Sequence, residues 1–230
     1  MSKRREPAMS EMLLPGMIDS HFHSVMMKKR ELDPVGLIAD AVEAGLTGGI
    51  DIGVEAGDTA GRLWVRDRFP GFLLAAGLAP AEAENKPQQI EAGLELLEED
   101  LREYSPAAVG EIGVDGHWNY GTQEKQRELF AAQIEIANRW GLPVIIHSRA
   151  ADELLLEVLD SHRPENGGIM HCYSGGYETA ARCIDHGLLI SFAGNITFKK
   201  SDELRKVACR IPAESILAEA GYSSDDVDLL

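Results

Sequence analysis

Four histidines and one glutamate stand where short apolar runs end. Asp19-Ser20-His21-Phe22-His23 closes the first run, and Gly110-Glu111-Ile112-Gly113-Val114-Asp115 the fourth. Pro143-Val144-Ile145-Ile146-His147-Ser148-Arg149 closes the fifth, and His171-Cys172-Tyr173-Ser174-Gly175 the sixth. Side chains alternate along an extended segment, so His21 and His23 point to the same side. Two neutral imidazoles on one side of a strand end suit a single divalent ion. Imidazole combined with carboxylate suits zinc, manganese or similar metals better than a soft thiolate set would. A lone histidine at a strand end is ordinarily a hydrogen-bonded structural residue. Four of them with a glutamate, all at strand ends, read instead as metal ligands: His21, His23, Glu111, His147 and His171.

The remaining reactive residues carry weaker signals. His162 and His186 fall on or just after helical patterns and read as solvated, while His117 sits in a loop near the same strand ends, within reach of a substrate. Ser148 and Ser174 adjoin or follow histidines but lack the glycine-flanked elbow of a serine nucleophile. Three cysteines without a short Cys-x-x-Cys spacing argue against a disulfide framework and a zinc finger. Cys172, Cys183 and Cys209 therefore read as reduced packing residues. The formal net charge of −16 disfavours broad adhesion to nucleic acid or anionic membrane. It does not exclude a phosphate-bearing substrate, because bound divalent ions invert the sign locally. Lys28-Lys29-Arg30, Arg149 and Lys199-Lys200 follow the first, fifth and seventh runs, and Arg149 and Lys199 are the expected phosphate contacts.

Something must bring these scattered segments together, and the pattern between them says what. Eight apolar runs occur at Gly16–Ser20, Thr47–Gly53, Gly71–Ala76, Ala107–Ile112, Pro143–His147, Gly168–His171, Leu188–Ala193 and Ser215–Ala218. Between them lie amphipathic stretches. Ile90, Leu94, Leu97 and Leu101 recur at helical spacing, and Leu129, Ala132, Ile136 and Trp140 form a stripe that Thr122 opens and Gly141 closes. Leu154, Leu155, Val158 and Leu159 make another helical face. Alternating βα units whose strands are apolar throughout predict a parallel sheet covered on both faces. An open doubly wound sheet would usually carry a glycine-rich phosphate loop after its first strand, where this chain has Asp-Ser-His-Phe-His. The expected fold is a (β/α)8 TIM barrel with its ligands on the C-terminal rim, where such barrels place their sites. Residues 1–15 are expected to be a disordered or extended N-terminal segment and 16–230 a single domain. No apolar run approaches the ~18–20 residues of a membrane span. Glu6, Pro7, Ser10 and Glu11 break any signal-peptide core after Lys3-Arg4-Arg5, so the expected compartment is the cytoplasm.

The four strand-end motifs together resemble the TatD family of metal-dependent deoxyribonucleases, and Ile190–Lys199, ending Asn-Ile-Thr-Phe-Lys, is similar as well. The resemblance runs from about Met17 to Glu219. It implies an amidohydrolase-type TIM barrel and 3′–5′ exonuclease chemistry on DNA by a water activated between two divalent ions (Mg2+, Mn2+ or Zn2+). Carried over motif by motif, His21 and His23 would hold one ion and His147 and His171 the other. Glu111 would bridge both and serve as the catalytic carboxylate.

Two departures from the family pattern stand out. The family's Glu-Thr-Asp at the end of the eighth strand is Glu219-Ala220-Gly221 here, so the aspartate that ligates a metal and takes up the water proton has no counterpart unless Asp225 or Asp226 reaches back. Gly77-Leu78-Ala79-Pro80 has alanine where the family commonly has histidine before the proline. After Glu219 the chain is too short for a full last helix, which predicts a thinly covered seam between the last and first strands, lower stability, or burial of that seam against a partner or a second copy. A barrel enzyme acting on a small non-nucleic substrate and a metal-binding but silent protein are the competing expectations, favoured by Ala79 and by Gly221 respectively.

Overall fold

A computed structural model of the protein describes residues 15–118 and 120–220. Its eight strands are β1 (Ile18–Phe22), β2 (Gly48–Ile52), β3 (Phe72–Ala76), β4 (Ala108–Asp115), β5 (Val144–Arg149), β6 (Gly168–Met170), β7 (Leu188–Phe192) and β8 (Ile216–Ala218). All pair in parallel with their sequence neighbours, in the order β1-β2-β3-β4-β5-β6-β7-β8. Each apolar run of the sequence is one of these strands. Around them lie α1 (Ser24–Lys29), α2 (Pro34–Glu43), α3 (Leu63–Arg68), α4 (Pro87–Tyr104), α5 (Gln123–Trp140), α6 (Asp152–Ser161), α7 (Tyr177–Asp185) and α8 (Asp202–Arg210). The fold is a TIM barrel in which every strand-to-strand crossover carries a helix.

The local signals act as their chemistry requires. Thr122 accepts a bond from the Lys125 backbone N–H at 3.2 Å and caps α5, and Gly141 ends that helix at φ +65°, a left-handed turn glycine adopts at little cost. On α4, Leu97 and Leu101 are buried, with Ile90 and Leu94 packed against the same core. Leu154, Leu155, Val158 and Leu159 of α6 are all buried. Trp140 departs from its expected stripe. It ends α5 and stays exposed, while Phe130, Gln133, Ile134 and Ala137 take the inward face.

One layer of the core lies between the helices and β3–β7, and a second packs α2 and α3 on β1–β3. A smaller group, Ile52, Ala75, Ala108 and Ile145, takes one residue from each of β2–β5 and fills space enclosed by the strands themselves. All eight residues of β4 are buried, as expected of a strand covered on both faces.

The barrel is nearly closed. Among the described residues no ladder pairs β8 with β1. Ser20 instead bonds Ser191 Oγ at 3.0 Å and donates to the Ala218 carbonyl at 3.3 Å, and the Ala220 N–H donates to Asp19 at 3.0 Å. Ile18 on this seam is 61% exposed, and no helix follows β8 among the described residues. The expectations for residues 1–14, Gly221, Asp225 and Asp226 lie outside the described residues.

Candidate metal centre

The five expected ligands meet around Glu111. Its Oε2 lies 3.5 Å from His21 Nε2 and 3.4 Å from His23 Nε2, and its Oε1 lies 2.9 Å from His147 Nδ1 and 3.5 Å from His171 Nε2. The carboxylate therefore offers one oxygen to each pair of imidazoles. Two ligand groups result, His21–His23–Glu111 and Glu111–His147–His171, each with donor atoms within 4.8 Å of one another. β1 supplies His21, with His23 just past its end, β4 supplies Glu111, β5 His147, and His171 directly follows β6. The close approach of β4 and β5 depends on Gly113 at φ +135°, where an added Cβ would fall 2.0 Å from the His147 carbonyl oxygen.

The outer nitrogen of each ring decides which lone pair faces Glu111. His23 Nδ1 bonds the Ile52 carbonyl at 3.0 Å, His147 Nε2 bonds Asp115 Oδ2 at 2.9 Å, and His171 Nδ1 bonds Glu219 Oε1 at 2.9 Å. Holding that nitrogen's proton on an acceptor aims the other nitrogen at Glu111, where a cation can take its lone pair in place of any proton there. Of the four rings, His21 alone has no hydrogen-bond partner for its outer nitrogen, Nδ1, among the described residues, and buried Glu219 Oε2 has none there either. The His21 and His171 rings stack with centroids 3.7 Å apart, and Glu219 lies at the ring edge of His171 opposite Glu111. Further out, Asp51 accepts bonds from the backbone and hydroxyl of Ser24 at 2.8 and 2.7 Å, which fixes the chain just after His23. Fully buried Arg62 then bonds Asp58 and the carbonyls of Asp51 and Ala75, tying the ends of β2 and β3 together.

The electrostatics suit a cation. Burial and the neighbouring His171 push His21 down to about 3, so it is neutral with a lone pair to give. Burial opposes ionisation of Glu111, yet the surrounding imidazoles outweigh it and hold the carboxyl well below its ordinary value. Burial likewise works against a charge on His147, but Asp115 and Glu111 overcome it and lift the ring to about 9. A site that attracts protons this strongly between carboxylates offers the same field to a divalent ion. Four imidazoles, an anionic carboxylate and the orphaned buried His21 Nδ1 and Glu219 Oε2 fit a metal centre.

The centre opens into a cavity of about 450 Å3 lined by His23, Glu111, His147 and His171, with Lys29, Arg149 and Tyr120 on its walls. Arg149 stands where a phosphate contact is expected. Lys199 is exposed and outside the lining, as is His117, whose ring packs edge-on against Trp118 at 4.9 Å. Of the first basic run, Lys29 lines the cavity but pairs with Glu55 at 2.7 Å, and Lys28 lies over the Trp64 ring at 4.9 Å. Ala79 is on the cavity wall and brings no polar side chain. His162 pairs with Glu135 and His186 with Asp160, both away from the site. Of the cysteines, Cys183 packs in the core and burial pushes its thiol up to about 12, which removes it as a nucleophile. Cys172 lines the cavity and Cys209 is exposed, so neither is a simple packing residue.

Sequence reasoning gave no role to Asp115, Glu219, Asp51 or Arg62. Asp115 had a readable signal, since a spacing of four from Glu111 puts both carboxylates on one side of a strand. The partners of Glu219 and Arg62 depend on strand packing that no local pattern announces.

A family model described as TatD related DNase matches residues 18–227. The chain is 33% identical over 214 residues to "Uncharacterized metal-dependent hydrolase TatD" of Mycobacterium tuberculosis, covering 88% of this chain and 78% of the relative. It is 30% identical over 186 residues to "3'-5' ssDNA/RNA exonuclease TatD" of Salmonella typhimurium, covering 80% and 70%. Among solved structures, YjjV, a TatD homolog of Escherichia coli K12, superimposes with a TM-score of 0.73 at 29% identity over 88% of this chain and 77% of that one.

Proposed function

The chain belongs to the TatD-related DNase family of metal-dependent hydrolases, and from that premise we propose that it hydrolyses phosphodiester bonds in single-stranded DNA from the 3′ end, with two divalent ions held at the barrel rim. The observation that carries this reading is Glu111, whose two oxygens each face a pair of imidazoles. His21, His23 and Glu111 would hold one ion, and Glu111, His147 and His171 the other. When bound, such a pair supplies Lewis acidity toward the attacking and leaving oxygens of an in-line displacement and acidifies water.

The chain's own residues do the rest. Asp115, Glu219 and the Ile52 carbonyl fix the ring orientations of His147, His171 and His23, so the ligands need no rearrangement on binding. Arg149 offers a guanidinium on the cavity wall to the substrate phosphate. The relative from Salmonella typhimurium named as a 3'-5' ssDNA/RNA exonuclease supports the polarity and the substrate. Among the described residues no helix is long and apolar enough to cross a membrane.

Gly221 favours a second reading, a protein that binds metal and turns over little. A general base contributes on the order of 10^2–10^4 in rate. Single-stranded oligonucleotides labelled at either end, with Mg2+ or Mn2+, test both readings beside a Gly221→Asp variant. Shortening from the 3′ end by both proteins, faster in the variant, supports the nuclease. Shortening by the variant alone supports the silent reading, and no cleavage by either, with metal bound, overturns the proposed function.

A further inference from the structure

We propose that Trp118, Tyr120 and Arg149 form a shelf on which nucleobases stack beside the metal centre, and that this shelf, more than phosphate attraction, selects single strands. The inference rests on the nuclease reading and adds the residues that would recognise the substrate. His117, Trp118 and Tyr120 stand just past the end of β4, and Tyr120 and Arg149 line the cavity. The Trp118 and Tyr120 rings lie 6.5 Å apart at 34°, and the Arg149 guanidinium lies 6.0 Å from the Trp118 ring centre. Trp118 itself is outside the cavity lining but 43% exposed, so a large apolar ring next to two lining residues meets solvent.

An exposed tryptophan is not a site by itself, and Trp140 on the outer layer is an example. Trp118 differs in how it is held. Asp115 Oδ1 accepts the backbone N–H groups of His117 and Trp118 at 2.8 and 2.9 Å, while its Oδ2 bonds His147. From α5, Gln126 accepts from the Asp115 N–H at 2.7 Å and donates to the carbonyls of Asp115 and Tyr120 at 3.1 and 3.0 Å. One carboxylate thus links a metal ligand to the loop that presents the ring. A base lying on Trp118 would have its phosphate directed toward Arg149 and the cavity.

Charge explains why stacking has to carry the recognition. The chain bears −16, and Lys29 on the cavity wall is already paired with Glu55. Long-range attraction to nucleic acid is therefore weak, local phosphate contact falls to Arg149 and the bound ions, and stacking on aromatic rings is the sequence-tolerant way to hold the bases. Bases enclosed in a duplex cannot reach such a shelf.

The test uses hydrolysis-resistant phosphorothioate strands and the Mn2+-loaded protein, with binding read by fluorescence anisotropy. The probes are a ten-nucleotide thymidine strand, an abasic strand with the same number of phosphates, and a ten-base-pair duplex. Trp118→Ala is expected to weaken binding of the thymidine strand about 10- to 100-fold, and Trp118→Phe by no more than about 3-fold. The abasic strand should bind the unchanged protein as weakly as thymidine binds Trp118→Ala, and the duplex should bind both proteins weakly. On cleavable DNA, Trp118→Ala should raise KM and leave kcat unchanged. Equal binding of thymidine and abasic strands, or an unaffected Trp118→Ala variant, overturns the shelf even if DNA is cleaved. Trp118-dependent binding without any cleavage would keep the shelf and remove the hydrolysis.

Discussion

Glu219 supports the His171 ring and lies close to His21, whose Nδ1 it does not bond. Glu219 already accepts from His171 Nδ1 and from the Cys172 N–H, each at 2.9 Å, and it groups with His21 and His171 within 4.8 Å. Burial disfavours its charge, but His171 outweighs that and holds it below the ordinary carboxyl range. Glu219→Gln keeps an oxygen for both donors, puts an NH2 where Oε2 stands, and removes the negative charge that would make His171 a stronger ligand. Metal affinity should fall about 10- to 100-fold by calorimetric titration, with the fold intact by circular dichroism. An unchanged affinity would mean that Glu219 only packs. The residues that cluster around Glu111 were legible in the sequence because four histidines and a glutamate at the ends of apolar runs make a local pattern. Glu219 was not, because it and His171 are far apart in the chain and meet only through the order of β6, β7 and β8.

At the level of elements, the eight strands and helices α4, α5 and α6 could be read from hydrophobic period, with capping marking α5, while the loops that shape the rim could not. Expecting Lys199 and His117 at the mouth assumed that residues following a strand point into it. Lys199 instead follows the helical turn Gly194–Thr197 and faces solvent, and His117 turns onto Trp118. What holds the rim comes from α5, where the sequence reading gave roles to the apolar stripe and none to the glutamines. Gln126 binds the loop after β4, and Gln133 binds both the N–H and the carbonyl of Leu78 at 2.8 and 2.9 Å, just past β3. A buried glutamine within an amphipathic stripe is the sequence mark of such a pin. Gln126→Leu would preserve volume roughly but strand three backbone groups. It should cost about 2–4 kcal/mol of stability in urea unfolding, since a buried unpaired polar group costs about 1–3 kcal/mol and the loop can rewet in part. A loss under about 1 kcal/mol would show that water replaces the glutamine fully.

For the whole molecule, the weak place in the barrel borders the candidate metal centre. Side-chain bonds from Ser20 and Asp19 close the seam between β1 and β8 where a ladder would otherwise run. β8 is three residues long, and Ile18 beside it is exposed. Sub-global opening should therefore start there, since few buried contacts and irregular bonding mark the least stable units. Yet the expected ligands straddle this gap. His21 and His23 come from β1, Glu111 and His147 from the opposite wall, and Glu219 lies just past β8 in contact with His171. An ion bound between them would tie β1 to the rest of the barrel and orient the end of β8 through His171. The acidic total charge favours cation uptake at the same time. Amide hydrogen exchange should find β1 and β8 exchanging faster than β4 and β5 in chelator. Zn2+ or Mn2+ at about 100 times its Kd should slow β1 and β8 by up to about 100-fold, matching about 2.7 kcal/mol of binding linkage. If metal protects only β4–β6, then β1 contributes nothing to the centre and the two-ion arrangement loses its first position.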